Sequence, residues 1–223
     1  NSSPMPAFSA RPNAPINRIV IQPDGKILIA GTFSAVSSVV RNWIARLHDD
    51  GTLDTSFSAV LDGPCFAMAV QTSDNKILAG GSGYLARFET DGSLDTTFNR
   101  HVTAGDAGAV YDIVVQPDLN ILVGGSFTSF DAVSQSNIVR LTPTGQPDLA
   151  GFASDVGGSV RTIALQPNGQ VLIGGEFDTI EGAPASKLAR LNSNGTADSS
   201  FQPNINGSII HDIILLPSAQ LLA

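Results

Sequence analysis

One cysteine, Cys65, stands in a chain of 223 residues. A single thiol excludes an intrachain disulfide framework and a cysteine-based zinc site, and the apolar neighbours Phe66 and Met68 make a buried, inert side chain the expected reading. Long apolar runs are lacking too. No window approaches the ~20 residues of a membrane helix, so no membrane insertion is expected, and no secretory leader is visible. Charged residues make up 14% of the chain and aromatics 6%, low for a soluble enzyme of this size. The net charge is −8 with only 12 Lys and Arg, which argues against nucleic acid, since phosphate binding needs clustered cations. The acidic residues are spread over many turns and read as a solubilising surface. Histidine is limited to His48, His101 and His211. Their contexts differ, whereas a metal site would need them to converge, so no metal and no cofactor is expected. No helical period is sustained over ~11 residues, and the chain reads as all-β.

What the chain does have is repetition. A glutamine closes an apolar run at Gln22, Gln71, Gln116 and Gln166, at spacings of 49, 45 and 50 residues, and Leu216 takes the same place 50 residues further on. The repeats end at Phe57, Phe98, Phe152 and Phe201, with Phe8 closing an earlier one. Each repeat predicts four strands. The first is aliphatic, as in Ile19-Val20-Ile21 and Ile113-Val114-Val115, and ends in a turn such as Pro23-Asp24-Gly25, residues that favour tight reversal. The second, as in Ile27-Leu28-Ile29, ends at Gly31, Gly81, Gly125 or Gly175. The third carries the Arg of Ile44-Ala45-Arg46-Leu47 and its equivalents. A turn at Gly51, Gly92, Gly145 or Gly195 leads into a short fourth strand that ends in Phe.

Four short strands per unit, at a period of about 45 residues, match the blade of a β-propeller. The expected fold is therefore an all-β propeller of four-stranded antiparallel blades, with four full repeats and partial blades at both ends. The blades fall at about 9–57, 58–98, 99–152 and 153–201, with a partial one at 202–223, in a single array over 1–223. The alternative is a β-solenoid, whose coils are usually shorter and need no tight Gly hairpin after almost every strand. The chain begins at Asn1 and stops within Gln220-Leu221-Leu222-Ala223, and reads as a processed chain or a fragment of a larger protein.

The run from Gln22 to Phe33, followed by Ile44-Ala45-Arg46-Leu47 and by Asp50 to Phe57, resembles the signature of the bacterial delta-60 repeat family. It recurs at 116–152 and 166–201 with its spacing kept. The second repeat departs: Gly83 replaces Phe33, and about nine loop residues are missing before Arg87. The resemblance implies a β-propeller in a large secreted or cell-surface bacterial protein. It implies no transferable chemistry.

Every repeat places an Arg in its third strand and an Asp eight residues later: Arg46 and Asp54, Arg87 and Asp95, Arg140 and Asp148, Arg190 and Asp198. A ring of guanidinium groups for an anion is one reading. A structural strut is the preferred one, because a ligand site is normally single whereas a strut must be present in each copy. The terminal phenylalanines are read in the same way, as wedges between blades, and the strand-two glycines as close-packing or bulge positions.

With antiparallel strands, the turns after strands one and three share one side, and the loops after strands two and four share the other. The first set is short and near-identical. The second varies, at 34–42, 128–137 and 178–187 and at 58–64, 99–109 and 153–159, and variable loops on a rigid frame are where recognition usually resides. The candidate binding face comprises Trp43, Arg100, His101, Phe130 and Glu181 on the loops, with Tyr111, Asp112, His211 and Asp212 at the heads of innermost strands. The leading functional reading is a non-enzymatic surface module that binds protein or glycan, or a structural unit of a larger extracellular assembly. The second is a glycan-active enzyme with its site at the axial mouth, to be favoured if Asp112, Asp212, Asp155 or Glu181 cluster in one pocket. A third is self-association through the strand edge of an unfinished blade.

Overall fold

The computed structural model describes residues 9–98, 100–103, 108–131, 133–203, 205, 207–216 and 221–222, without the side chains of 100–103 and 221–222. Phe8 lies outside the described residues, as do the side chains of Arg100 and His101. No helix occurs among them. In the first repeat β1 (Ile16–Ile21), β2 (Ile27–Gly31), β3 (Ala35–Val36), β4 (Val39–Val40) and β5 (Ile44–Leu47) follow in order. The second holds β6 (Cys65–Val70), β7 (Ile77–Gly81) and β8 (Tyr84–Phe88), and β9 (Arg100–Thr103) follows it. The third holds β10 (Ala109–Val115), β11 (Ile121–Ser126), β12 (Ser129–Phe130), β13 (Val133–Ser134) and β14 (Ile138–Leu141). The fourth holds β15 (Val160–Leu165), β16 (Val171–Gly175), β17 (Thr179–Ile180), β18 (Ala183–Pro184) and β19 (Leu188–Leu191), and β20 (Ile214–Leu215) pairs with β21 (Leu221–Leu222) beyond it. The chain forms two compact units, one of residues 1–81 and 86–99, the other of 82–85 and 100–223.

The sheets β1-β2-β5, β10-β11-β14 and β15-β16-β19 are antiparallel and share one register plan. Each first strand is broken by a bulge, at Ile16/Arg18, Cys65/Ala67, Val110/Asp112 and Val160/Thr162. The glycine pairs explain how the bulge fits. A Cβ on Gly125 would strike the carbonyl of Ala109, and one on Gly175 that of Ser159, so this position must be bare where the bulged backbone crosses it. The glycine before it serves the neighbouring sheet: a Cβ on Gly124 would meet Val160 and Ile163 of the next repeat, and one on Gly174 would meet Ile210. One glycine admits the bulge and the other admits the next blade.

Where four strands were expected, the fourth is a single bridge in each repeat: Leu47 with Leu53, Phe88 with Leu94, Leu141 with Pro147 and Leu191 with Ala197. The aspartate that follows ends it. Asp54 N–H donates to the Arg46 carbonyl at 2.9 Å, and its Oδ1 then accepts from the backbone of Ser56 at 3.0 Å and from the Ser56 hydroxyl. A side chain that bonds the backbone two residues ahead turns the chain and competes with the ladder.

The loops after second strands are not irregular either. Three of them carry two-residue hairpins, β3-β4, β12-β13 and β17-β18, with positive φ at Ser37 and Ser38, at Asp131, and at Glu181 and Gly182, as such turns require. The second repeat has none; β7 and β8 are joined through Gly83 at φ 79°. Residues of the 99–109 loop form β9, which pairs with β8 at Tyr84 and Leu85 and with β12 at Ser129 and Phe130.

In the second unit the core lies between successive sheets. In one cluster Leu122, Ile138 and Phe152 of the third repeat pack with Val171, Ile173, Phe177 and Leu191 of the fourth. Phe57, Phe98 and Phe152 are fully buried, and Phe201 packs on the cluster formed by Leu172, Ile210 and Ile213. One face stays open. Ile19 on β1 is 62% exposed, whereas its counterpart Ile163, turned toward Gly124 of the preceding sheet, is 5% exposed.

Candidate functional site

Each repeated arginine is bound from several directions. Arg46 Nε donates to Asp54 Oδ2 at 2.8 Å, its guanidinium lies 4.7 Å from the Phe57 ring centroid, and Nη1 donates to the carbonyl of Thr90, in the turn of the next repeat. Arg140 follows the same plan: Asp148 at 2.8 Å, the Phe152 ring at 5.2 Å and the Ser193 carbonyl at 2.8 Å. Arg87 pairs with Asp95 at 2.9 Å over Phe98, and Arg190 with Asp198 at 2.8 Å over Phe201. The motif Arg-x7-Asp followed by Phe after two residues, or three in the third repeat, thus holds the third strand to the Asp turn, stacks the cation on an aromatic face and, at Arg46 and Arg140, ties one sheet to the next. Lys26 at 3.5 Å and Lys76 at 3.1 Å add second cations to Asp54 and Asp95.

Burial grades these pairs. Arg46 and Asp54 are 7% and 4% exposed, Arg190 and Asp198 23% and 14%. Desolvation is the largest single influence on Asp54 and on Asp95, and it pushes both carboxyls up. Hydrogen bonds from Ser56 and Arg46, and from Thr97, Lys76 and Arg87, together outweigh it and hold both well below the usual carboxylate range. Asp198 is lowered to about 2, chiefly by the hydroxyl and then the backbone N–H of Ser200.

The candidate binding residues separate. Phe130 is buried, edge-on to Phe127 with ring centroids 6.0 Å apart; it fills the hairpin and is not the exposed loop residue expected from its position. Trp43 is half-buried at φ 65°, and its backbone exchanges hydrogen bonds with Phe33 and Gly31. Asp112 accepts from its own neighbour Ile113 at 3.0 Å and from the Ile163 backbone of the next repeat at 2.7 Å, so this carboxylate ties two first strands together. Tyr111, at the bulge, carries Arg161 over its ring at 4.2 Å. Asp212 accepts from Ile213 at 2.9 Å and from Thr162 at 3.4 Å, and His211 beside it is exposed. No group of three or more His, Cys, Asp or Glu residues that could hold a metal ion occurs among the described residues.

Two of the four acids named for the enzyme reading do meet. Asp155 and Glu181 line one cleft of about 290 Å³ with Ser134, Gln135, Leu149, Ala153 and Ser154. It lies between the loops of the third and fourth repeats, and its walls are zipped by Glu181 N–H to Asp155 O at 2.7 Å and by the bridge between Val156 and Ile180. Gln135 and Ser154 were not among the candidate residues; nothing in the repeat pattern marks them. Each compact unit also has a cleft beside its short turns, one lined by Gln22, Arg46 and Asp91 and the other by Gln116, Arg140 and Gln166.

No curated protein matches the chain. Among solved structures, a protein of unknown function from Bacteroides caccae is similar at 16% identity and a TM-score of 0.50, over 88% of this chain and 72% of that one. PorZ, a surface component of the type-IX secretion system of Porphyromonas gingivalis, is similar at 17% identity and a TM-score of 0.49; 78% of this chain is matched, and it spans only 25% of that protein. A gluconolactonase from Xanthomonas campestris is similar at 15% identity and a TM-score of 0.43, over 97% and 94% of the two chains. A family model, described as "Domain of unknown function (DUF5122) beta-propeller", matches residues 22–57, 72–98, 116–150 and 166–201. Each segment holds the second and third strands of one repeat with its Arg-Asp pair, and the chain, a β-propeller, belongs to the DUF5122 beta-propeller family.

Proposed function

We propose that this chain is a non-enzymatic binding or structural module of a secreted or cell-surface bacterial protein, and that it engages protein or glycan through the side bearing the variable loops. The observation that carries this reading is the division of labour between the two sides. The repeated Arg, Asp and Phe side chains hold strands and neighbouring sheets, and the repeated glycines let those sheets approach, while the non-repeated loops carry the exposed Asp155 and Glu181 without a cationic partner among the described residues. The secreted or surface location, and the narrower name of delta-60 repeat, rest on the sequence resemblance. A glycan-active enzyme at the axial mouth is the weaker reading, because Asp112 accepts two backbone N–H groups. A glycan array and a panel of immobilised extracellular proteins test the proposal. Binding should be lost in Glu181→Lys and kept in Asp24→Ser, on the short-turn side. The reverse pattern, or turnover of a chromogenic glycoside, would overturn it.

The open face of β1 supports the structural part of the same proposal, since Ile19 and Ile21 are 62% and 72% exposed. Another blade, from a second copy or from an adjoining segment, would bury them. Light scattering over a range of concentrations should show a mass that rises and that falls back in Ile19→Glu/Ile21→Glu. A mass equal to the monomer at every concentration removes self-association.

A further inference from the structure

The cleft between the loops of the third and fourth repeats is lined by two buried side chains that each carry an unpartnered polar atom among the described residues. Gln135 and Ser154 are 6% and 5% exposed, and both line the cleft. Gln135 Nε2 donates to the Ser154 carbonyl at 3.4 Å, which leaves Oε1 as the unused end of the amide. That Oε1, and the Ser154 hydroxyl, find no hydrogen-bond partner among the described residues. Buried polar atoms without partners cost free energy and are uncommon in folded chains. The same lining carries Asp155 and Glu181, both exposed and neither paired with a cation among the described residues. Glu181 is held at φ 50° in the β17-β18 turn, a conformation that costs a non-glycine residue energy and is retained where the surroundings impose it. The remaining wall is apolar, formed by Leu149, itself 49% exposed, and Ala153.

Resting on the reading of this side as a binding surface, we infer that the cleft is a subsite for a basic side chain, lysine or arginine, of a protein partner. The chemistry of the lining selects it. The acceptors are two carboxylate groups and an amide oxygen; the side-chain donors of the lining are the hydroxyls of Ser134 and Ser154 and the Gln135 Nε2, which is already committed to the Ser154 carbonyl. An ammonium or guanidinium supplies donors and no acceptor, its charge answers the two carboxylates, and its aliphatic stem lies along Leu149 and Ala153. A divalent cation would want six or more oxygens and no apolar wall. A neutral saccharide would ask for donors as well as acceptors. The net charge of −8 favours the approach of such a partner.

The test is a titration of the isotope-labelled full chain, followed by amide NMR, with Nα-acetyl-lysine methylamide and Nα-acetyl-arginine methylamide. Nα-acetyl-norleucine methylamide, a neutral oligosaccharide and calcium chloride are the comparison probes. The expected result is a saturable shift of the Gln135 side-chain amide and of the Glu181 backbone amide with a basic probe alone. Affinity should fall at least tenfold in Asp155→Asn/Glu181→Gln and weaken with added salt. Both substitutions are at exposed positions, and an unchanged remaining spectrum shows that the fold is kept. Shifts at these amides with the oligosaccharide or with calcium, and none with the basic probes, would overturn the basic-side-chain assignment while leaving the binding-module proposal standing. Equal binding by the double variant would overturn it, as would the absence of a shift with every probe.

Discussion

Replacing Asp54 by alanine removes the acceptor of the Arg46 Nε hydrogen bond at 2.8 Å, of the Ser56 backbone bond at 3.0 Å and of the Ser56 hydroxyl bond in one step. Arg46 is left with its side chain 7% exposed, over the Phe57 ring and donating to the Thr90 carbonyl, without its paired carboxylate. Stranding one member of a buried pair costs about 3–5 kcal/mol. Losing the turn bonds adds about 1 kcal/mol, and the expected destabilisation is about 4 kcal/mol or more by the same reckoning. Asp54→Asn keeps an oxygen for Ser56 and separates the charge from the turn. The assay is urea unfolding followed by the fluorescence of Trp43, the sole tryptophan, which lies in the same repeat, and in parallel by circular dichroism, since repeat arrays can lose cooperativity. The apolar double variant Arg46→Met/Asp54→Leu should recover most of the loss, because the penalty belongs to the unpaired charge and not to the missing pair. Asp198→Ala, at a more exposed pair, should be visibly milder. A loss below about 1 kcal/mol for Asp54→Ala, the range of a surface pair, would refute the strut, as would equal losses at the two positions.

The same carboxylates set a pH dependence. Asp198 is lowered to about 2, and Asp54 and Asp95 also lie well below the usual range, so the unfolded chain takes up protons first as pH falls. The stability these groups contribute is fully present above about pH 4 and is lost from there downward, through 2 and below. Urea midpoints at pH 5, 4, 3 and 2 should fall steadily, and the slope should flatten in Asp54→Asn/Asp95→Asn; an unchanged slope in that variant would contradict the assignment. Gly125→Ala drives a methyl into the Ala109 carbonyl and the Phe127 ring and should cost about 1–3 kcal/mol or more. Gly25→Ala, with open space around it but φ 85°, should cost only the backbone term of about 1–2 kcal/mol; equal losses in thermal melts would remove the bulge explanation. Cys65 is fully buried and should react with a thiol reagent only on unfolding, so fast labelling of the native chain would show that β6 opens.

Much of the frame was legible because it is local and repeated. The aliphatic strands, the Arg-x7-Asp spacing and the closing Phe each appear four times, and repetition separates a rule from an accident. The glycine pairs were legible as bare positions, but not as two positions with different tasks. What failed was legible only in part. The fourth strand was read from its length and its closing Phe, but the Asp side chain bends the backbone after one bridge. Phe130 was read as exposed because it lies in a variable segment, yet that segment is a hairpin whose inner face needs an apolar residue to bury. Gln135 and Ser154 carried no signal, since neither recurs.

The sequence by itself determined the unit: its strand order, its turns, its all-β class and the residues that recur at fixed offsets. These follow from φ preferences and side-chain alternation, which act over a few neighbouring residues. Only the tertiary structure decided how units meet. Arg46 reaches the Thr90 carbonyl, Asp112 reaches the Ile163 backbone, and Gln135, Ser154, Asp155 and Glu181 surround one cleft. Those contacts join residues from different repeats, and the distances between them are set by how one sheet packs on the next.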